Sequence, residues 1–224
     1  MKIDLHVHTS EVSRCGKVPG EEMVRLYKEA GYDAICITNH FTSGTADSFK
    51  RHGQFDFIKA FETGFEIAQK EGERIGLRVF KGYELRCDKN TNDYLIYDLP
   101  KFVIDNVREI MTLDNKEFLT VLRQNGVKIF QAHPFRNNIT VTDPSLIDGI
   151  EVFNGSHKGD YRDTMAKTWA DAHPHLIQVS GSDAHRDTSV GRGGIITDRD
   201  VKNNDDLLDT LVSRDFTLVR NYDR

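Results

Sequence analysis

Cysteine is scarce: Cys15, Cys36 and Cys87 are the three in 224 residues, and no Cys-x-x-Cys pair occurs. Three thiols cannot all pair with one another. A disulfide framework is therefore disfavoured, and a reducing, cytoplasmic compartment is expected. Proline is sparse at five, and the seventeen glycines are scattered. No linker, low-complexity tract or fixed-period repeat divides the chain, so one domain over 1–224 is the simpler reading. Long apolar runs are missing as well. Nothing approaches the roughly 20 residues that cross a bilayer. No apolar h-region follows Lys2, so no signal peptide and no membrane partner are expected. Excess positive charge is the last absence. Lys plus Arg is 30 against 35 for Asp plus Glu, a net charge of -5 with His neutral. That balance disfavours bulk coating of nucleic acid, though not a local basic groove.

What is present is a globular composition, 38% apolar and 29% charged, with nine histidines. The apolar pattern alternates between strand and helix. Strands are expected at Lys2–Val7, Ala34–Thr38, Leu77–Tyr83, Tyr94–Tyr97, Val127–Gln131, Gly149–Phe153, Leu176–Ser180 and Phe216–Val219. Helices are expected at Glu21–Ala30, Phe55–Glu73, Lys116–Gln124, Tyr161–Ala172 and Asp205–Arg214. Such alternation predicts an α/β fold of parallel strands with helices outside, and about seven strands suggest a barrel over an open sheet. Catalytic groups of a barrel of this kind sit at the C-terminal ends of its strands.

Those ends are chemically distinctive. They read His6-Val7-His8, Thr38-Asn39-His40, Gly82-Tyr83-Glu84, Ala132-His133-Pro134 and Gly181-Ser182-Asp183-Ala184-His185. A lone histidine at a strand end is more often a hydrogen-bonded structural group. Five strands delivering His, Asp or Glu at the same end is a different matter. Together, His6, His8, His40, Glu84, His133, Asp183 and His185 suit zinc, manganese or iron. Residues i and i+2 of a strand share a face, so His6 and His8 are placed to grip one ion. Glu84, with two oxygens, is suited to bridge two ions roughly 3.5–4 Å apart.

The strings Asp4-Leu5-His6-Val7-His8-Thr9, Ile37-Thr38-Asn39-His40, Gly82-Tyr83-Glu84, His133-Pro134 and Gly181-Ser182-Asp183-Ala184-His185 resemble, in order, the motifs of the PHP family. PHP denotes the polymerase and histidinol phosphatase domain. The resemblance runs from Met1 to about Gly193. It implies a distorted (β/α)7 TIM-like barrel, two or three divalent ions and hydrolysis of phosphate esters. By position, His6, His8, Glu84 and Asp183 would hold one ion, and His40 and His185 a second. Glu84 and His133 would share a third.

Three departures stand out. Asn39 replaces the usual aspartate before His40. In the loop after His8, where many members place an Asp or His ligand, this chain offers Glu11 or Cys15. No histidine lies between Glu84 and His133, leaving Asp93 or Asp98 as substitutes. For substrate contact, Arg136 and Arg192 are candidate phosphate clamps. His157, beyond the strand end at Asn154, is a candidate for the site's rim. The expected substrate is a small phosphorylated metabolite attacked by a metal-activated water. The alternatives are an exonuclease or nucleotide phosphatase on short oligonucleotides, an amidohydrolase, and a metal-holding domain without catalysis.

Overall fold

The computed structural model describes residues 1–156 and 161–222; His157 lies outside them. The first half runs β1 (Lys2–Val7), α1 (Gly20–Glu29), β2 (Ala34–Ile37), β3 (His40–Phe41), α2 (Ser43–Arg51), α3 (Phe57–Ile75), β4 (Arg78–Lys81), β5 (Tyr83–Leu85) and β6 (Tyr94–Ile96). Three helices follow: α4 (Lys101–Asp105), α5 (Val107–Ile110) and α6 (Asn115–Gln124). The rest is β7 (Phe130–Gln131), β8 (Gly149–Asn154), α7 (Tyr161–Asp171), β9 (Ile177–Gly181), β10 (Gly193–Ile196), α8 (Asn204–Ser213) and β11 (Thr217–Arg220).

The strands form two mixed sheets, ordered β11-β10-β1-β2-β4 and β3-β5-β6-β7-β8-β9, and neither closes on itself. This corrects the expectation of parallel strands throughout. β5, β6 and β7 pair antiparallel, as do β1, β10 and β11. The Arg86–Asp93 connection between β5 and β6 is too short for the crossover that a parallel pair needs. Expected strands also break. Ala34–Thr38 gives way to β2, with β3 following. Leu77–Tyr83 divides at Gly82 into β4 and β5, which belong to different sheets. Gly82 is packed tightly there, since a Cβ would sit 2.8 Å from Thr38 Cγ2.

The two sheets touch along both margins. Gly82 N–H donates to Ile37 O at 2.9 Å, and Glu84 N–H to Asn39 O at 3.1 Å. On the other side, His8 N–H donates to Ala184 O at 3.0 Å and Ala184 N–H to His6 O at 3.2 Å. A core cluster draws on both sheets, with Ile3, Cys36 and Phe80 from one and Leu95, Phe130 and Val179 from the other. Outside it, Met23, Val24 and Tyr27 of α1 pack with Val7, Ile35 and Ala68. Burying each of those larger side chains contributes about 1.5–3 kcal/mol. Helix ends follow capping rules: Thr42 caps α2, Asp56 caps α3, and Asp114 with Glu117 forms a capping box on α6. No helix among the described residues is long and apolar enough to cross a membrane.

Candidate metal centre

The seven strand-end residues converge at one place. His6 and His8 leave β1, His40 begins β3, and Glu84 is the middle of β5. His133 follows β7 with φ +30°, and Asp183 follows β9 with φ +49°. Positive φ is strained for such residues and is held by surrounding bonds. His6 Nε2 and His8 Nε2 are 3.1 Å apart. Asp183 Oδ1 lies 3.3 Å from the first and 3.2 Å from the second. Glu84 Oε1 and Oε2 are 3.5 Å from the same two nitrogens. Glu84 Oε1 also reaches His133 Nε2 at 2.9 Å, and Glu84 Oε2 reaches His40 Nδ1 at 2.5 Å. Asp183 Oδ1 is 3.2 Å from His185 Nδ1.

These separations match ligands around an ion. Bonds of about 2.0–2.2 Å at tetrahedral or octahedral angles put ligand atoms roughly 3.0–3.5 Å apart. Glu84 Oε2 and Asp183 Oδ1 are buried and make no hydrogen bond among the described residues, although imidazole nitrogens face them. Leaving a buried carboxylate oxygen so is costly, and a cation at the shared point removes the cost. Charge points the same way. Burial opposes a charge on His6, yet Asp183, Glu151 and Glu84 raise its pKa well above the usual imidazole value. Burial pushes Asp183 up, and the His6 charge with the facing imidazoles of His185 and His8 holds it well below the usual carboxylate range. The cluster therefore draws in positive charge. Among the described residues, four overlapping groups could hold ions: His6-His8-Asp183, His8-His40-His185, His6-Glu84-His133 and His40-Glu84-Asp93.

Cys15 stands at the open side, its Sγ 3.2 Å from His40 Nε2. Burial raises its pKa, but bonds from His185 and His40 bring it down to about 6, favouring the thiolate that binds metals. Glu11, the other candidate in that loop, turns away. Its carboxylate accepts from Gly20 N at 3.0 and 3.1 Å, at the start of α1. Asp93 is buried beside the cluster, whereas Asp98 is exposed. Arg192 is buried, with its Nη1 donating to Gly155 O at 2.9 Å; Arg136 is exposed beyond His133. The side chains of His40 and His185 are 21% exposed, against 3% or less for His6, His8, Glu84, His133 and Asp183. The mouth of the centre is thus on the side of His40, His185 and Cys15.

The PHP domain model matches residues 4–206. This chain belongs to the PHP domain family. No curated protein sequence matches it significantly. Among solved structures, it resembles a two-domain protein from Bacteroides vulgatus containing a predicted PHP-like metal-dependent phosphoesterase, at TM-score 0.69 and 20% identity. That match covers 99% of this chain but 65% of the longer protein. PsfC from Pseudomonas syringae matches at TM-score 0.66 and 21% identity, over 98% of this chain and 91% of that one. The lesion-specific endonuclease PfuEndoQ from Pyrococcus furiosus matches at TM-score 0.60 and 16% identity, over 97% of this chain and 57% of that one.

Behind the candidate ligand atoms of this PHP domain lies a layer that sequence reasoning missed. Glu151 on β8 is buried, and its Oε1 is 3.0 Å from His6 Nδ1. Its Oε2 accepts from His133 N at 2.9 Å and Asn154 Nδ2 at 2.7 Å. One carboxylate thereby orients His6 and steadies the strained backbone of His133. Ser13 serves His8: its Oγ is 3.0 Å from His8 Nδ1 and donates to Asn39 Oδ1 at 2.9 Å. With that hydroxyl proton committed, Nδ1 of His8 is the donor and Nε2 keeps its lone pair for the centre. Asn39 Oδ1 also accepts from Thr9 N at 2.8 Å, which an aspartate there would do equally. The Asp183 carbonyl lies 3.0 Å from His185 Nδ1. A glutamate inside the otherwise apolar run Gly149–Phe153 was the available signal for Glu151. Gly181 leaves it room, since a Cβ there would lie 2.4 Å from His6 Cβ and 2.7 Å from Glu151 Oε1.

Proposed function

We propose that this chain is a metal-dependent phosphoesterase acting on a small phosphorylated molecule. The observation that carries the reading is the buried convergence of Asp183 Oδ1 and Glu84 on the His6 and His8 nitrogens within 3.5 Å. In this reading His6, His8, Glu84 and Asp183 hold one divalent ion, and His40, His185 and Cys15 a second. Glu84 bridges, and a third position beside His133 makes the count two or three. Zinc, manganese and iron all suit the donors. The fold reading extends likewise. The hydrogen bonds along both margins support the two sheets acting as one distorted (β/α)7 barrel, with the chain as a single PHP-type domain. The unpaired cysteines fit a cytoplasmic setting.

Bound ions would neutralise phosphate oxygens and lower the pKa of a water. The protein's own part is to position and to exclude. Glu151 and Ser13 keep Nδ1 of His6 and His8 protonated, so that Nε2 faces inward. The buried side chains close the floor to bulk water. His40, His185 and Cys15 leave the mouth as the route for substrate. There the bond from phosphorus to the leaving oxygen would break as a bond to water oxygen forms, and the proton that the water gives up balances the one that the leaving oxygen takes.

The test is metal analysis of the purified chain, then assays with Mn²⁺ or Zn²⁺ on p-nitrophenyl phosphate, its bis-ester, a short RNA and an amide panel. Cleavage of the monoester is expected. Cleavage of an amide with every phosphate ester intact would sink the reading. RNA as the best substrate would favour the oligonucleotide alternative. Cys15→Ser with unchanged metal content would remove that thiol from the ligand set.

A further inference from the structure

Neither arginine nominated from the sequence is the best-placed cation. Arg192 is turned to the Gly155 carbonyl, and Arg136 is exposed beyond His133. Arg86 is different. It stands two residues after Glu84, at the spacing that repeats a strand face. Its Nε donates to Asp93 Oδ1 at 2.6 Å and its Nη2 to Asp93 Oδ2 at 2.6 Å. Asp93 is fully buried, and its carboxylate belongs to the group formed with His40 and Glu84. Its Oδ2 lies 3.8 Å from His133 Nε2. Asp93 itself is fixed, since its carbonyl accepts from Ala132 N at 3.0 Å, next to His133. The neighbouring Asn92 donates to Thr140 O at 2.7 Å and to Thr142 Oγ1 at 3.1 Å.

One edge of the guanidinium is therefore locked against a carboxylate beside the centre. The other edge, Nη1 and the outer hydrogen of Nη2, makes no hydrogen bond among the described residues. The side chain is 36% exposed. A planar fork with its side edge held and its end edge open is pre-organised for a phosphate oxygen, because little rotamer freedom remains to be lost on binding.

We propose that Arg86, locked by Asp93, grips a non-bridging oxygen of the substrate phosphate and makes the centre selective for phosphomonoesters. The proposal rests on the phosphoesterase reading and names its substrate class. A monoester has three non-bridging oxygens, so two can face the ions while the third meets Arg86. A diester has two and leaves the fork without a partner.

The experiment uses metal-loaded protein, with ion content measured in every variant. For Arg86→Met, the ratio of kcat/KM for p-nitrophenyl phosphate to that for bis-p-nitrophenyl phosphate should fall about 10- to 100-fold, as for loss of a charge-assisted bond. The inhibition constant of inorganic phosphate should rise by a similar factor. Arg86→Lys should recover part of each. Because Arg86→Met leaves Asp93 buried and unpaired, the double variant Arg86→Met/Asp93→Asn repeats the measurement without that charge. Changes below about threefold in both ratio and phosphate affinity would overturn the proposal while leaving the phosphoesterase reading intact. If the parent protein cleaves neither ester, that reading fails and calorimetry with inorganic phosphate still decides. A loss of affinity of about tenfold or more on removing Arg86 supports the clamp, and a smaller loss overturns it.

Discussion

Glu151→Gln changes one atom's chemistry and almost nothing of shape. All of the partners that surround Glu151 donate: His6 Nδ1–H at 3.0 Å, His133 N–H at 2.9 Å and Asn154 Nδ2–H at 2.7 Å. A carboxylate accepts from them all, but glutamine has a single acceptor oxygen and an NH₂. If the oxygen stays on His6, the NH₂ meets two donors, and each unsatisfied group costs about 1–3 kcal/mol. If the amide turns, those two donors are satisfied and His6 faces an N–H. The imidazole then moves its proton to Nε2 so that Nδ1 can accept. The second arrangement is cheaper without ions, and it removes the lone pair that faces the centre. Binding an ion must reverse it, so affinity should fall about 10- to 100-fold, or roughly 1.4–2.8 kcal/mol. The assay is chelator competition for Zn²⁺ or Mn²⁺, with ¹⁵N NMR of the imidazoles in the metal-free protein. Wild type should show a proton on His6 Nδ1, which Glu151 accepts, and Glu151→Gln should show Nδ1 without one. An unchanged tautomer with affinity within about threefold of wild type would refute the reasoning.

Chelation should lower thermal stability, because Glu84 Oε2 and Asp183 Oδ1, buried without a hydrogen bond, would lose the cation proposed to compensate their burial. At a free ion concentration about 100 times Kd the linkage is about 2.7 kcal/mol. For a chain of this size that is roughly 5–10 °C in Tm, read by differential scanning fluorimetry; identical melting with and without chelator would contradict it. Gly181→Ala places a Cβ 2.4 Å from His6 Cβ. The expected cost is about 1–3 kcal/mol in urea denaturation, together with reduced ion content; an unaltered midpoint with full ion content would show that His6 can move aside.

The parts legible in the sequence were those written in short, local strings. His6-Val7-His8 and Gly181-Ser182-Asp183-Ala184-His185 carry their chemistry within a few residues, and the chain brings them together because strands end on one side. Long periodic helices such as α3 and α6 were visible for the same reason. The pairing direction of the strands was not. It depends on which strand lies beside β5 and how short the Arg86–Asp93 connection is, and apolar runs do not encode neighbours. The short helices α2, α4 and α5 and the glycine-led β10 have too little periodicity to stand out.

The missing layer of the centre has a deeper cause. His6 and Glu151 are 145 residues apart, and the bond between them exists only once β1 and β8 are folded into one body. A ligand can be guessed from its own residue type, but a residue that orients a ligand is defined by its partner. What remains readable is the anomaly. Glu151 is an anion inside the otherwise apolar run Gly149–Phe153, and Asp93 is an anion just before the apolar strand β6. In a chain that must satisfy every buried charge, each of them demands a partner before the partner is known. For Glu151 the answer is His6 with the His133 backbone, and for Asp93 it is Arg86. One anion is thus committed to orienting the centre, and the other to holding a cation at its edge.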